Sequence, residues 1–454
     1  MAQSCNKNSR ILEKAERIYR AALAEVNPKN LIAQSLSLKG DRLFIQDKCY
    51  DLAFFKDIFL VAIGKAASSM AKSVTALLQK RITEGICICP PALRFSLEKV
   101  TCLPAPHPLP DERSVEAAKA ILALASKAGE KDLVLVLISG GGSSQICLPG
   151  QGVSLQEKRL LTEKLLRAGA NIQELNIVRK HLSRIKGGRL AQAAFPATVV
   201  NLVISDVIHN DLESIASGPT YWDSSTYSDA LLVLKKYGIW NHAPSSIKKA
   251  IKNGLQKKIE ETPKRGDPVF ARTSNFILGD NLLALKAAQR EAQRLGFKSF
   301  ILTSCDQGEA RCVARYYVSL FRNLAQSKKN ISKPFCLLAG GELTVTVKGK
   351  GEGGRNQEFV LAALKEMRKQ FKSDDVWLIA SLGSDGIDGS TDAAGAWIAP
   401  ITIEKMERLP LDLEVHLKNN DSYNFFKKVG GLIKTGPTST NVMDLRIFLL
   451  GRAL

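Results

Sequence analysis

The stretch DLVLVLISGGGSS, Asp132 to Ser144, decides the fold. Its six apolar residues, Leu133 to Ile138, do not alternate with polar ones, so they read as a strand buried on both faces, as in a parallel sheet. The run is about a third of the ~20 residues needed to span a bilayer. Three glycines follow directly. Lacking Cβ atoms, they let backbone N–H groups close on an anion, and the serines after them add hydroxyl donors. A flexible turn could have the same composition, but the carboxyl end of a buried strand is where an anion site is expected. Ser139, Gly140, Gly141, Gly142 and Ser143 are therefore candidate phosphate contacts.

Outward from this stretch the same rhythm recurs. Asp57 to Ile63 (DIFLVAI), Gly85 to Cys89 and Ala197 to Ile204 (ATVVNLVI) read as strands. Helices are expected from about Ala66, from Asp111 and around 155–192, and an amphipathic helix near 9–27 opens the chain. Buried strands alternating with helices predict an α/β fold, a doubly wound and largely parallel Rossmann-like sheet with ligands beyond its carboxyl ends. Residues 248–272 are rich in charge, Gly and Pro and mark a boundary. The expected division is an N-terminal domain over 1–255 and a C-terminal α/β domain over 265–454. Strands beyond the boundary are expected at Phe276 to Leu278, Ser299 to Leu302, Phe335 to Leu338, Val376 to Ala380 and Leu445 to Leu450. Thr/Val alternation at Leu343 to Val347 predicts an exposed or hairpin strand.

Bulk composition narrows the class. Over 454 residues, 45% apolar and 24% charged side chains are ordinary for two or three globular domains and exclude a disordered chain. Nine cysteines, an odd number with no C-x-x-C, and five histidines without metal spacing argue against a disulfide framework or a zinc site. Sixty-four Lys and Arg against 44 Asp and Glu give +20. Such charge suits a nucleic acid, a cleft for small anions or a plain solvated surface. With 6% aromatics and no nucleic-acid motif, no nucleic-acid partner is expected. The N-terminus has no apolar signal core, and Glu13, Glu16 and Glu25 are out of keeping with a transit peptide. A cytoplasmic chain with no membrane partner is expected, a mitochondrial form remaining open.

Further candidates stand at element ends. Lys65 follows Gly64 at the close of DIFLVAI, where an ammonium near a helix start could neutralise a phosphate. Asn176 to Ala191 (NIVRKHLSRIKGGRLA) is basic; Arg179, Lys180 and Lys186 are candidate phosphate or substrate contacts, a bland basic helix being the alternative. His181 reads as a packing residue. Asp206, ending another buried strand, is a candidate magnesium ligand or base, and the Gly-Pro turn of IASGPT at Ile215 to Thr220 reads as structural. In GEGGRNQE, Gly351 to Glu358, Arg355 offers a planar fork for phosphate or carboxylate. Asp385, Asp388 and Asp392 could hold a cation or could be ordinary turn residues. No G-x-x-x-x-G-K-[ST] occurs, and neither SGGGSS nor GEGGRNQ supplies the G-x-G-x-x-G spacing of a dinucleotide site after the first strand.

Taken in order, GKAASSMA, PHPLPDE, LISGGGSS, NIVRKHLSRIKGGRLA, SDV with IASGPT, GGELTVTVKGKGEGGRNQEF, SLGSDGIDGSTDAAGA and NNDSYNFF with TGPTSTNV resemble the class II D-glycerate kinases, which carry a C-terminal MOFRL domain, here at about 335–450. The resemblance runs from Lys65 to Val442. It implies phosphorylation of D-glycerate with ATP and Mg2+, giving 2-phosphoglycerate, by two domains enclosing a cleft, and leaves a homo-oligomer open. It makes Lys65 and Arg355 the catalytic pair; beside them Asn356 is a candidate substrate or phosphate contact, and Asp206, with Asp385 second, the candidate magnesium ligand. The chain departs from the family pattern at Ser144-Gln145-Ile146, at Pro106, at Ser439 and at His209-Asn210, where Gly-Asp is usual. A hydroxypyruvate reductase and a non-enzymatic polyanion binder are the alternatives.

Overall fold

Unbroken apolar runs build the first sheet. The computed structural model describes residues 2–91, 96–326, 334–368 and 376–451. Its strands in the first half are β1 (Leu36–Lys39), β2 (Arg42–Ile45), β3 (Lys48–Asp51), β4 (Ile58–Ile63), β5 (Glu84–Cys89), β6 (Val100–Pro104), β7 (Leu133–Ile138), β8 (Thr198–Ile204) and β9 (Thr273–Gly279). Every residue of β4 and β7 is buried, as unalternating apolar composition demands. Strands lie in the order β6-β5-β4-β7-β8-β9, with β4 parallel to β5 and β7, β5 to β6, and β7 to β8. Counted along the chain within the sheet this is 3-2-1-4-5-6, the Rossmann order, with its reversal between β4 and β7. Helices Ala67–Leu78 and Glu112–Ala125 bury small and aliphatic faces against the sheet.

The chain divides into two compact units, Leu31–Leu278 and a second made of Met1–Asn30 with Gly279–Leu454. The second holds β10 (Lys298–Asp306), β11 (Phe335–Gly341), β12 (Trp377–Gly383), β13 (Gly395–Ile398), β14 (Leu432–Ile433) and β15 (Asp444–Leu450). Their order is β10-β11-β15-β12-β13-β14. β10 and β11 run parallel; the last strand inserts antiparallel between β11 and β12. Its core is aromatic, with Phe321, Phe335, Phe359 and Phe448 packed edge to face or tilted.

Three expectations are corrected. The first helix, Ala2–Glu25, is not part of the first domain: its Ile11, Ile18 and Ala22 side is buried in the second unit, where Arg17 meets Glu291 at 2.8 Å. The boundary falls at 278/279, because Phe276 to Leu278 belongs to β9 of the first sheet and not to the second unit. Leu343 to Val347 is no strand; Thr344 makes a single bridge to Glu309, and its neighbours alternate only because the segment is half-exposed. The small antiparallel sheet β1-β2-β3 was not anticipated.

Candidate functional site

Parallel pairing sets Ile63 opposite Ile138 and Ile138 opposite Val203, so the carboxyl ends of β4, β7 and β8 lie side by side. The segments leaving them carry Lys65, Ser139 to Ser144 and Asp206. Lys65 and Asp206 are both half-buried there. The first two loops interlock. Gly64 donates its N–H to Gln145 Oε1 at 2.7 Å, Lys65 to the Gly140 carbonyl at 2.8 Å and Ala66 to Ser139 Oγ at 3.0 Å. Gly64 has φ +105°, and a Cβ on it would fall 2.3 Å from the Ser139 carbonyl oxygen, so the approach requires glycine. Gln145, one of the departures from the family pattern, thus fastens the crossing. Gly141, at φ +86°, lies under His107, whose Nδ1 is 2.9 Å from Ser144 Oγ.

Beneath the glycine loop lies Lys186, 1% exposed, with Nζ 2.6 Å from the Ser143 carbonyl oxygen and 2.9 Å from Ser143 Oγ. Ser143 Oγ is 2.8 Å from Ser217 Oγ, which donates to Asn176 Oδ1 at 3.2 Å. Ser217 and Ala216 take left-handed φ of +61° and +50°, strain that sets the serine under the loop. Burial brings the Lys186 ammonium down to about 7, Cys147 opposing and Lys158 and Arg179 adding to the fall. Lys158, also buried, donates to the carbonyls of Leu182 at 2.7 Å and Arg179 at 3.2 Å, and burial brings it down to about 8. Lys158 and Ser217 were missed in the sequence. A lysine in the charged run QEKRLLTEK gives no sign of burial, whereas Ser217 lies in a quoted segment read as a turn.

Other candidates behave differently. Lys180 is not placed as a phosphate contact: it is buried in an ion pair with Asp223 at 2.6 Å, and Glu213 lies 3.5 Å away. Burial tends to raise Asp223, yet Lys180, Ser225 and His181 outweigh it and hold the carboxyl below its usual range. His181 bonds Glu261 at 2.9 Å and the Ile177 carbonyl at 2.8 Å, a packing role as expected.

In the other unit Arg355 opens helix Arg355–Met367. Asp444 grips it bidentately, Nε to Oδ2 at 2.7 Å and Nη2 to Oδ1 at 3.0 Å, while Nη1 donates to Glu342 at 2.6 Å. Burial opposes the charge, but these carboxylates outweigh it and keep the guanidinium protonated. Behind Asp444, the fully buried Arg446 lies 3.6 Å from its Oδ2 and 2.9 Å from Asp306, whose other oxygen accepts the Tyr317 hydroxyl at 2.6 Å. The result is a row of alternating charge ending on Arg355.

The three acids of the SDGIDGSTD segment do not converge. Asp388 caps the helix, accepting the N–H groups of Asn356 at 3.0 Å and Gln357 at 2.8 Å, and burial pushes it up to about 6. Asp392 bonds Tyr423 and Lys434, each at 2.7 Å. Asp385, half-buried, accepts the Ile387 N–H at 3.1 Å. Asn356, expected as a substrate contact, is buried, its Nδ2 donating to Asp388 at 3.2 Å and its Oδ1 accepting the Ser381 hydroxyl at 2.6 Å. The glycines of GEGGRNQE serve close packing: a Cβ on Gly354 would sit 2.3 Å from the Asp388 carboxyl carbon.

Fold and loops define the class, a Rossmann-type α/β protein whose lysine and glycine turns meet at the point of strand reversal. Residues 14–252 match the family model described as a domain of unknown function, DUF4147, and residues 335–444 match the MOFRL family. A D-glycerate 2-kinase of Thermotoga maritima is 42% identical over 394 residues, 87% of this chain and 90% of its own. A glycerate 2-kinase of Pyrococcus horikoshii is 38% identical over 435 residues, 96% of each. The crystal structure of glycerate kinase from Thermotoga maritima superimposes with a TM-score of 0.84 at 38% identity, covering 97% of this chain and all of that one (100%). The chain belongs to the MOFRL-domain glycerate kinase family.

Proposed function

We propose that this chain transfers the γ-phosphoryl group of ATP to D-glycerate, giving 2-phosphoglycerate. The observation that carries the reading is the interlocked pair of turns at the strand reversal, Gly64-Lys65 against Ser139 to Ser144, with buried cations below them. Phosphoryl transfer asks a protein for alignment and for neutralisation of charge on the transferred group. Lys65 supplies a cation at the end of β4. The glycine loop and Ser143, backed by Lys186 and Arg179, cradle an anionic group. Arg355, using three donors on Asp444 and Glu342, keeps one N–H on each terminal nitrogen for a phosphate or carboxylate.

Among the described residues no three His, Cys, Asp or Glu side chains form a cation cage. Magnesium keeps waters and takes one or two carboxylates along with the substrate phosphates, a demand that the half-buried carboxylates of Asp206 and Asp385 could each meet singly. Asp206 is the carboxylate assigned to it, or else orients the glycerate hydroxyl; Asp385 is the second candidate. When bound, the ion adds positive charge against the triphosphate.

An oxidoreductase would need a dinucleotide fingerprint after β4, where the chain reads GKAASS. A non-enzymatic polyanion binder would have no use for the interlocked turns. Among the described residues no helix is long and apolar enough to cross a membrane. The test is an assay with D-glycerate, ATP and magnesium, the product read by phosphorus NMR. A doublet from one carbinol hydrogen identifies the 2-phosphate; a triplet overturns the regiochemistry. Absence of turnover, with hydroxypyruvate and NADH consumed instead, overturns the kinase.

A further inference from the structure

Three cations, Lys158, Arg179 and Lys186, gather behind the glycine loop, each near enough to shift another's charge. Among the described residues none of them has a carboxylate within ion-pairing distance; the bonds of Lys158 and Lys186 go to carbonyls and to one serine hydroxyl. Buried charge without a counterion is costly, and a lysine relieves that cost by releasing a proton where an arginine cannot. We propose that a phosphoryl dianion is the missing counterion of this cluster, and that its binding at the glycine loop carries one proton from solvent onto Lys186. The inference rests on the kinase reading only in placing a phosphoryl group at that loop.

The hydrogen bonds around Lys186 accommodate both forms. As an amine, Nζ can donate to the Ser143 carbonyl and accept from the Ser143 hydroxyl. As an ammonium it donates to both, and the hydroxyls then turn in sequence, Ser143 donating to Ser217 and Ser217 to Asn176 Oδ1. No heavy atom need move between the two. The groups that face Lys186 are Cys147, Lys158 on helix Leu155–Arg167, and Arg179 on helix Ile172–His181. With all three cations desolvated, the empty site favours the amine, and a dianion arriving beside Ser143 reverses that balance.

Titration calorimetry of the full chain at pH 8 tests this, with 2-phosphoglycerate as probe in buffers of different ionisation enthalpy. Binding heat is expected to vary with the buffer, its slope reporting uptake of up to about one proton per site. Lys186→Arg, permanently charged, is expected to bind without uptake, and Lys186→Met to bind about tenfold more weakly, also without uptake. Wild-type binding with heats independent of the buffer overturns the inference and leaves the anion cradle intact. Uptake that persists in Lys186→Arg also overturns it, by placing the proton elsewhere. No binding by the folded wild-type chain, or binding undiminished in Gly141→Val, overturns the cradle itself.

Discussion

The cations under the glycine loop and the arginine of the second unit solve opposite problems. Arg355 is met by Asp444 and Glu342, and Asp444 is itself backed by Arg446 and Asp306, so every charge in that row has a partner of the other sign. Lys186, Lys158 and Arg179 have carbonyls, a hydroxyl and one another. The first arrangement fixes a guanidinium before any ligand is present. The second keeps a deficit of negative charge that a ligand can fill. Preorganisation and selectivity for anions are thus carried by different residues.

The contrast can be broken in order of expected effect. Lys65→Ala should lower kcat by about 10²–10³ with the melting temperature unchanged, since it removes a charge met mainly in the transition state; steady-state rates beside a thermal melt decide this. Arg355→Lys should cost about a hundredfold, because a point charge cannot keep the bidentate hold on Asp444 and still present a donor. Asp444→Asn leaves Arg355 in place but slackens its grip, so about a tenfold loss in kcat is expected, smaller than for either cation. The smallest effect sharpens the comparison through stability. In the fold Lys186 titrates at about 7, against the ordinary 10.5. Between those values the unfolded chain binds the extra proton, so stability should rise with pH from about 7 towards 10. Lys186→Met should flatten that rise, as read from denaturant midpoints at pH 7 and 9.

Much of this was legible where local sequence and final burial agree. β4, β7 and β8 announce themselves because strands covered on both faces need unbroken apolar runs, and their parallel order then sets Lys65 next to Ser139. β1 to β3 escaped notice because four-residue strands with mixed exposure carry almost no period. The first helix was given to the wrong unit because an amphipathic pattern says that a face is buried and not against what. Lys180 and Lys186, six residues apart in one basic segment, look alike in sequence. Only the fold reveals that Asp223 neutralises one and that, among the described residues, no carboxylate pairs with the other. Asn356 and Asp388 misled for a related reason, polar residues beside glycine serving a helix end as readily as a ligand.

The Thr440 hydroxyl donates to the Val26 carbonyl at 2.8 Å, across 414 positions of chain. At ~5–20 residues per second a ribosome needs roughly 20–80 s to separate those two events. The opening helix must therefore wait, its apolar side uncovered, while Leu31–Leu278 is made and can close on itself. Birth order and structural order thus run in opposite directions: the Val26 carbonyl is made long before the hydroxyl that binds it.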